Sequence, residues 1–204
     1  MAYPTVSGPY GFQPINLIGG QVFAGATRQI PIASGSGTSI YYGDVVRLNT
    51  GGTLSRVSTT DSATDAVGIF LGCAFTNPTT KQFLQQQYYP ASTVASDIVA
   101  YVCDDPDTYF KVAVLSDSTT IGGFTQTDIG NNVSILATAG STTTGDSKEG
   151  VLNSSNTSTT TLPFRIIAGV PETVNASGSF TEVIVKFNMG VHTYYSPTPV
   201  AGAA

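Results

Sequence analysis

An all-β fold, a barrel or sandwich of short antiparallel strands with an extended N-terminal arm and long loops, is what this 204-residue sequence predicts. Three observations predict it. Apolar runs of a few residues recur between Gly, Asn, Asp, Ser and Thr clusters at about 8–12-residue spacing, the rhythm of sandwiches and barrels. The runs are rich in Val, Ile, Thr, Tyr and Phe, whose branched or aromatic side chains suit a pleated, half-buried surface. Sustained helical periodicity is absent. With 41% hydrophobic residues, the chain is long enough to build a real core.

In chain order, residues 1–27 carry Pro4, Pro9 and Pro14 among Gly8, Gly11, Gly19, Gly20 and Gly25. That density forbids a helix and favours extended, irregular backbone. Tyr3, Tyr10, Phe12, Ile15, Leu17 and Phe23 on the same stretch need burial. Two readings stay open: an arm anchored on a neighbouring subunit, or a strand packed on its own chain. Residues 28–190 form the β-rich domain, with a soft division into 28–115 and a looser 116–190. Strands are expected at 28–32, 45–48, 53–57, 66–75, 98–102, 109–114, 134–137, 164–169 and 182–188. Asn49-Thr50-Gly51-Gly52 reads as the turn of a hairpin. Residues 82–88 (QFLQQQY) read as either a short helix or a polar strand ended by Pro90. Thr127 could cap a single helical turn. Residues 138–161, rich in Ser, Thr, Gly and Asn, read as a long surface loop or two loops around Val151-Leu152. Residues 191–204 make a C-terminal tail.

Charged residues are only 10% of the chain, against roughly 25% in ordinary soluble domains. A surface so poor in Lys and Glu is weakly protected against association, which points to one covered by neighbours. Net charge is −5, and eight basic residues spread over the chain make no patch, so nucleic acid is not an expected partner. The N-terminal residues lack the basic and apolar regions of a signal peptide, and the apolar runs are too short to span a bilayer. Synthesis in a cytoplasm without membrane attachment is the expectation. Cys73 and Cys103 each lie in or beside an apolar run and read as buried free thiols rather than a disulfide framework.

Candidates for chemistry are few, and the expectation is a protein that is not an enzyme and holds no cofactor or metal. His192 is the one histidine, and it follows an apolar run beside Tyr194 and Tyr195, which favours packing over catalysis. One His and two distant Cys offer no zinc spacing. Asp104, Asp105 and Asp107 surround Pro106, a composition that suits an acidic turn better than a Ca²⁺ loop or an acid/base pair. Gly35-Ser36-Gly37 lacks the Lys and helix of a phosphate loop.

The segments GDVVRL, GGTLSRV and DAVGIFLG, from Gly43 to Gly72, resemble head-decoration (cement) proteins of tailed bacteriophages. The wider set YGFQPINLIGGQVFAGATRQIPIASG, YYGDVVRL, GIFLGCAFTNPTTKQ and IVAYVCDDPD, with the closing EVIVKFNMGVH, is similar to virion proteins common in marine phages. The similarity runs from Tyr10 to Asp107, and residues 138–161 have no counterpart in it. The resemblance implies a structural virion protein on the capsid surface. It would bind the phage major capsid protein, bridge neighbouring coat subunits at local three-fold or two-fold sites, and associate with itself, as a homotrimer on the shell. Tyr3, Tyr10, Phe12 and Arg28, with Tyr41 and Tyr42, are the expected contact residues. A tail or fibre protein and a carbohydrate-binding β-sandwich are the alternatives.

Overall fold

Two sheets carry the chain in a computed structural model that describes residues 6–17, 20–57 and 66–196. The strands are β1 Gln13–Leu17, β2 Arg28–Pro31, β3 Val45–Leu48, β4 Leu54–Arg56, β5 Ala66–Thr76, β6 Phe83–Gln86 and β7 Val99–Cys103. They continue as β8 Thr108–Leu115, β9 Asn132–Val133, β10 Ile135–Leu136, β11 Gly150–Leu152, β12 Phe164–Gly169 and β13 Glu182–Phe187. The fold is therefore all-β, and among the described residues helical turns are confined to short 3-10 pieces at Gln126–Asp128, Asn153–Ser155 and Pro171–Thr173. The expected turn at Thr127 is the first of these, capped two residues earlier by Thr125, whose amide and hydroxyl both donate to Asp128.

The first sheet runs β2-β7-β5-β3-β4, with β6 also on β5, and a parallel bridge from Ile32 to Leu54 brings its two ends together into a nearly closed barrel. Strand β5 makes this closure geometrically feasible. Its ladder slips at Val67, opposite Val46 and Arg47, and again at Leu71, opposite Tyr101 and Val102. Each bulge adds twist and bends the strand. The slips also change which face each residue takes. Val67, Phe70, Cys73 and Phe75 join Ile30, Val46, Leu54, Ala100 and Val102 inside the barrel, while Ala66 and Ile69 point to the other core. The expected hairpin turn is present: Asn49 N–H donates to Thr53 at 2.8 Å and Gly52 adopts φ +70°.

The second sheet runs β10-β11-β8-β13-β12-β9, with β1 also on β8. Period-2 alternation decides its inner face. Phe110, Val112 and Val114 of β8 and Val183, Val185 and Phe187 of β13 face inward, while Lys111 and Lys186 stay outside. These side chains pack on Val45, Ala66, Ile69 and Cys103 of the barrel, so the main core lies between the sheets. After β1, which belongs to the second sheet, the chain enters the barrel at β2 and returns to the second sheet between Cys103 and Thr108, upstream of the composition change at 115–116.

Three local outcomes differ from the sequence expectation or resolve it. Residues 82–88 contain strand β6, not a helix, because the segment pairs with the end of β5. Residues 138–161 are not only loop: Gly150–Leu152 forms β11, paired parallel to β8 through Val151–Val114 and Leu152–Leu115. Gly150 allows the approach, since a Cβ there would sit 2.6 Å from the Leu115 side chain. The ladder is thus not uniformly antiparallel. Residues 13–17 form β1 on the chain's own β8, with a bulge at Ile15 that accommodates Pro14.

Candidate interaction surface and buried charge cluster

The residues expected to contact a partner fall into three environments. Tyr3 lies outside the described residues. Tyr10 and Phe12 are turned inward. The Tyr10 hydroxyl donates to the Glu182 carboxylate, and Lys111 lies 5.5 Å over the Tyr10 ring and 3.6 Å from Glu182. Burial, then the bond to Glu182, drive the Tyr10 phenol well above its usual range, so it stays protonated as a donor. Phe12 is completely buried and stacks on Phe164 with ring centroids 4.6 Å apart, at an interplanar angle of 17°.

The backbone reason for that burial is a contact between two glycines. Phe12 N–H donates to the Gly43 carbonyl at 2.9 Å, and Gly11 and Gly43 adopt φ +81° and +90°. A Cβ on Gly11 would meet Ser147 and Gly43 at 2.7 and 2.9 Å. Only glycine permits both the left-handed backbone and the close approach.

Arg28 is exposed. Its guanidinium donates to the Tyr194 hydroxyl at 2.6 Å and lies 3.4 Å from Asp104, while the Tyr194 hydroxyl donates to Asp104 at 2.5 Å. Burial and then Asp104 push the Tyr194 phenol up to about 12. Beside this triad is a shallow depression of about 270 Å³ lined by Arg28, Ile30, Leu48 and Tyr194. Tyr41 is buried, stacked on Tyr88 at 5.6 Å. Tyr42 is half-buried and lines an open groove of about 570 Å³ together with Gln85, Gln86, Gln87 and Tyr101.

The acidic turn separates its carboxylates. Asp105 accepts the Asp107 amide at 2.8 Å, Asp107 pairs with Lys186 at 2.7 Å, and Asp104 faces Tyr194 and Arg28. His192 is fully buried among Phe187, Tyr194 and Tyr195, and its Nδ1 accepts the Tyr194 amide at 3.2 Å. Burial lowers its proton affinity, so the imidazole is neutral. Cys73 and Cys103 are buried and free; burial raises their thiols to about 12 and about 11. Among the described residues, no group of three His, Cys, Asp or Glu side chains gathers to hold a metal, and no helix is long and apolar enough to cross a membrane.

Sequence reasoning missed a buried cluster of charges. Asp44 and Glu149 are both fully buried, and both engage the Arg56 guanidinium, at 3.1 and 2.9 Å. The Tyr41 amide donates to Asp44 and the Val45 amide to Glu149, each at 2.8 Å. Arg56 also donates to the Thr138 carbonyl. The cluster ties β4 and the turn before β3 to the residues that lead into β11. The local signal was a lone acid ahead of an apolar pair (GDVV) and another ahead of GVL. Nothing in the sequence joins the two across the intervening chain.

No family model, curated protein or solved structure matches the chain.

Proposed function

We propose that this protein is a structural virion subunit that binds the outside of a phage capsid, bridges neighbouring major capsid subunits and stabilises the DNA-filled head. The observation that carries this reading is how little charge the folded chain presents to water. Among the described residues the exposed charged residues are Arg28, Arg47, Lys81, Asp97, Asp117, Arg165 and Glu172, to which the Asp107 side chain adds a carboxylate paired with Lys186. The other charged groups are buried or half-buried, several of them in ion pairs within the chain. Such a surface has little electrostatic defence against association and suits a molecule that spends its life against neighbours. Large apolar side chains stand out from it, including Phe83, Val94 and Met189, each more than 60% exposed. The resemblance of the Gly43–Gly72 segments to cement proteins supports the same reading.

The mechanism is mechanical. Contacts repeated by the symmetry of a lattice hold a subunit whose individual contacts are weak, because each bound contact raises the effective concentration of the next. On this reading the protein acts as a homotrimer on the shell. Of the expected contacts Arg28 is the best placed, outward and joined to Asp104 and Tyr194. Tyr10, Phe12 and Tyr41 support the fold behind it, since their rings are occupied within the chain. Sedimentation of purified chain with expanded, undecorated heads tests the proposal. Saturable binding that raises the temperature of head rupture supports it; heads that neither retain the protein nor gain heat resistance refute it.

A second reading rests on the groove of Tyr42, Gln85, Gln87 and Tyr101. Amides and phenols of this kind suit a glycan, and binding of the isolated protein on a glycan array would favour a carbohydrate-binding module.

A further inference from the structure

Asp44, Arg56 and Glu149 make a site with one charge too many. Both carboxyl groups are fully buried and the Arg56 side chain is only 8% exposed. The Arg56 Nε lies 3.1 Å from Asp44 Oδ2 and 2.9 Å from Glu149 Oε1, so these two oxygens are no more than about 6 Å apart. Like charges at that distance, out of water, oppose one another's ionisation. A single guanidinium neutralises one of them. The remaining partners are neutral: the Tyr41 and Val45 amides, Ser147 and the Thr138 carbonyl. Asp44 Oδ1 has no hydrogen-bond partner at all. Arg56 is the cation that faces the pair from β4, Asp44 comes from the turn before β3, and Glu149 from the approach to β11. Nearby Asp146 is turned instead to the Gln87 side chain.

We propose that Asp44 and Glu149 form a proton-binding site that holds one proton between them at neutral pH, and that losing this proton at alkaline pH loosens the seat of residues 138–149 on the barrel. With the proton bound, the three side chains sum to zero charge and the buried seam between the sheets is electrically satisfied. Without it, two buried carboxylates share the single Arg56 guanidinium and one negative charge is stranded out of water without a countercharge. The direction of both titrations agrees. Burial raises Asp44 to about 6 despite the pull of Arg56. Burial and then Asp44 push Glu149 well above the usual carboxylate range. The proton belongs to the pair, as expected for two strongly interacting acids.

An acid whose proton affinity is raised by folding gives a stability contribution that is complete below its unfolded pKa, about 4, and is lost as pH rises from there through the folded value. The protein is therefore expected to grow more stable as pH falls from alkaline to neutral. Buried, neutral His192 works the other way, but only once pH drops below the free-imidazole range of about 6.5.

Urea unfolding between about pH 9 and pH 6.5 reads the effect, at up to a tenfold change in the unfolding constant per pH unit for one proton. The Glu149→Gln variant keeps an acceptor for the Val45 amide and should flatten the dependence. Infrared difference spectra of the wild-type protein add a readout that needs no variant: a protonated carboxyl carbonyl band at neutral pH that disappears on alkaline titration. Wild-type stability that stays flat or falls between pH 9 and 6.5, or the absence of a protonated carboxyl at neutral pH, overturns the proposal. An undiminished pH dependence in a folded Glu149→Gln protein does so as well.

Discussion

Replacing Phe12 by alanine separates an aromatic that belongs to this chain's core from one reserved for a partner. Its ring has no exposed surface and lies flat on Phe164, itself packed against Phe187 at 4.5 Å. Truncating a buried Phe costs about 3–5 kcal/mol, through lost transfer energy and the cavity left behind. The rigid stack on Phe164 argues for the upper part of that range, because the cavity walls are held by strands β12 and β13 and cannot close. For a chain of this size, each kcal/mol lowers the melting temperature by about 2–4 °C, so a drop on the order of 10 °C is expected. Urea denaturation of the purified protein, followed by tyrosine fluorescence, measures the loss. A cost below about 1 kcal/mol would refute the placement of Phe12 in the core and return it to an arm that packs elsewhere.

Three other outcomes follow from the same geometry. Gly68→Ala would drive a Cβ into the Cys103 carbonyl, with the carbonyl carbon at 2.9 Å, so thermal melting should show a loss of at least about 2 kcal/mol from overpacking. Cys73 and Cys103 should resist alkylation in the native protein at pH 8 and both react after unfolding, because burial suppresses their thiolates; mass spectrometry counts the adducts. Arg28→Ala should change stability by less than about 1 kcal/mol, as an exposed pair does, while weakening attachment to heads in the sedimentation assay.

Much of the strand pattern was legible because it is local. Val45–Leu48, Phe164–Gly169 and β8 announce themselves through branched and aromatic runs between turn residues. What escaped was set by distant partners. Strand β11 is three residues in a Ser/Thr-rich stretch and exists because β8 offers an open edge beyond the end of β1. Strand β1 carries Pro14 and reads as irregular, yet a bulge at Ile15 lets it pair. The two faces of β5 could not be assigned from alternation, since two bulges reset the phase within one strand. Among the site residues, the aromatic character of Tyr10 and Phe12 was visible but their inward direction was not; it depends on Gly11 meeting Gly43 across the fold. The Asp44, Arg56 and Glu149 cluster is a purely tertiary product.

The central claim, attachment to a capsid lattice, is tested most directly by the copy number of this chain relative to major capsid protein in purified particles, measured by quantitative mass spectrometry. A constant small-integer ratio, matching the number of symmetry-equivalent sites on the shell, is the predicted result. A handful of copies per particle, or none, would contradict it.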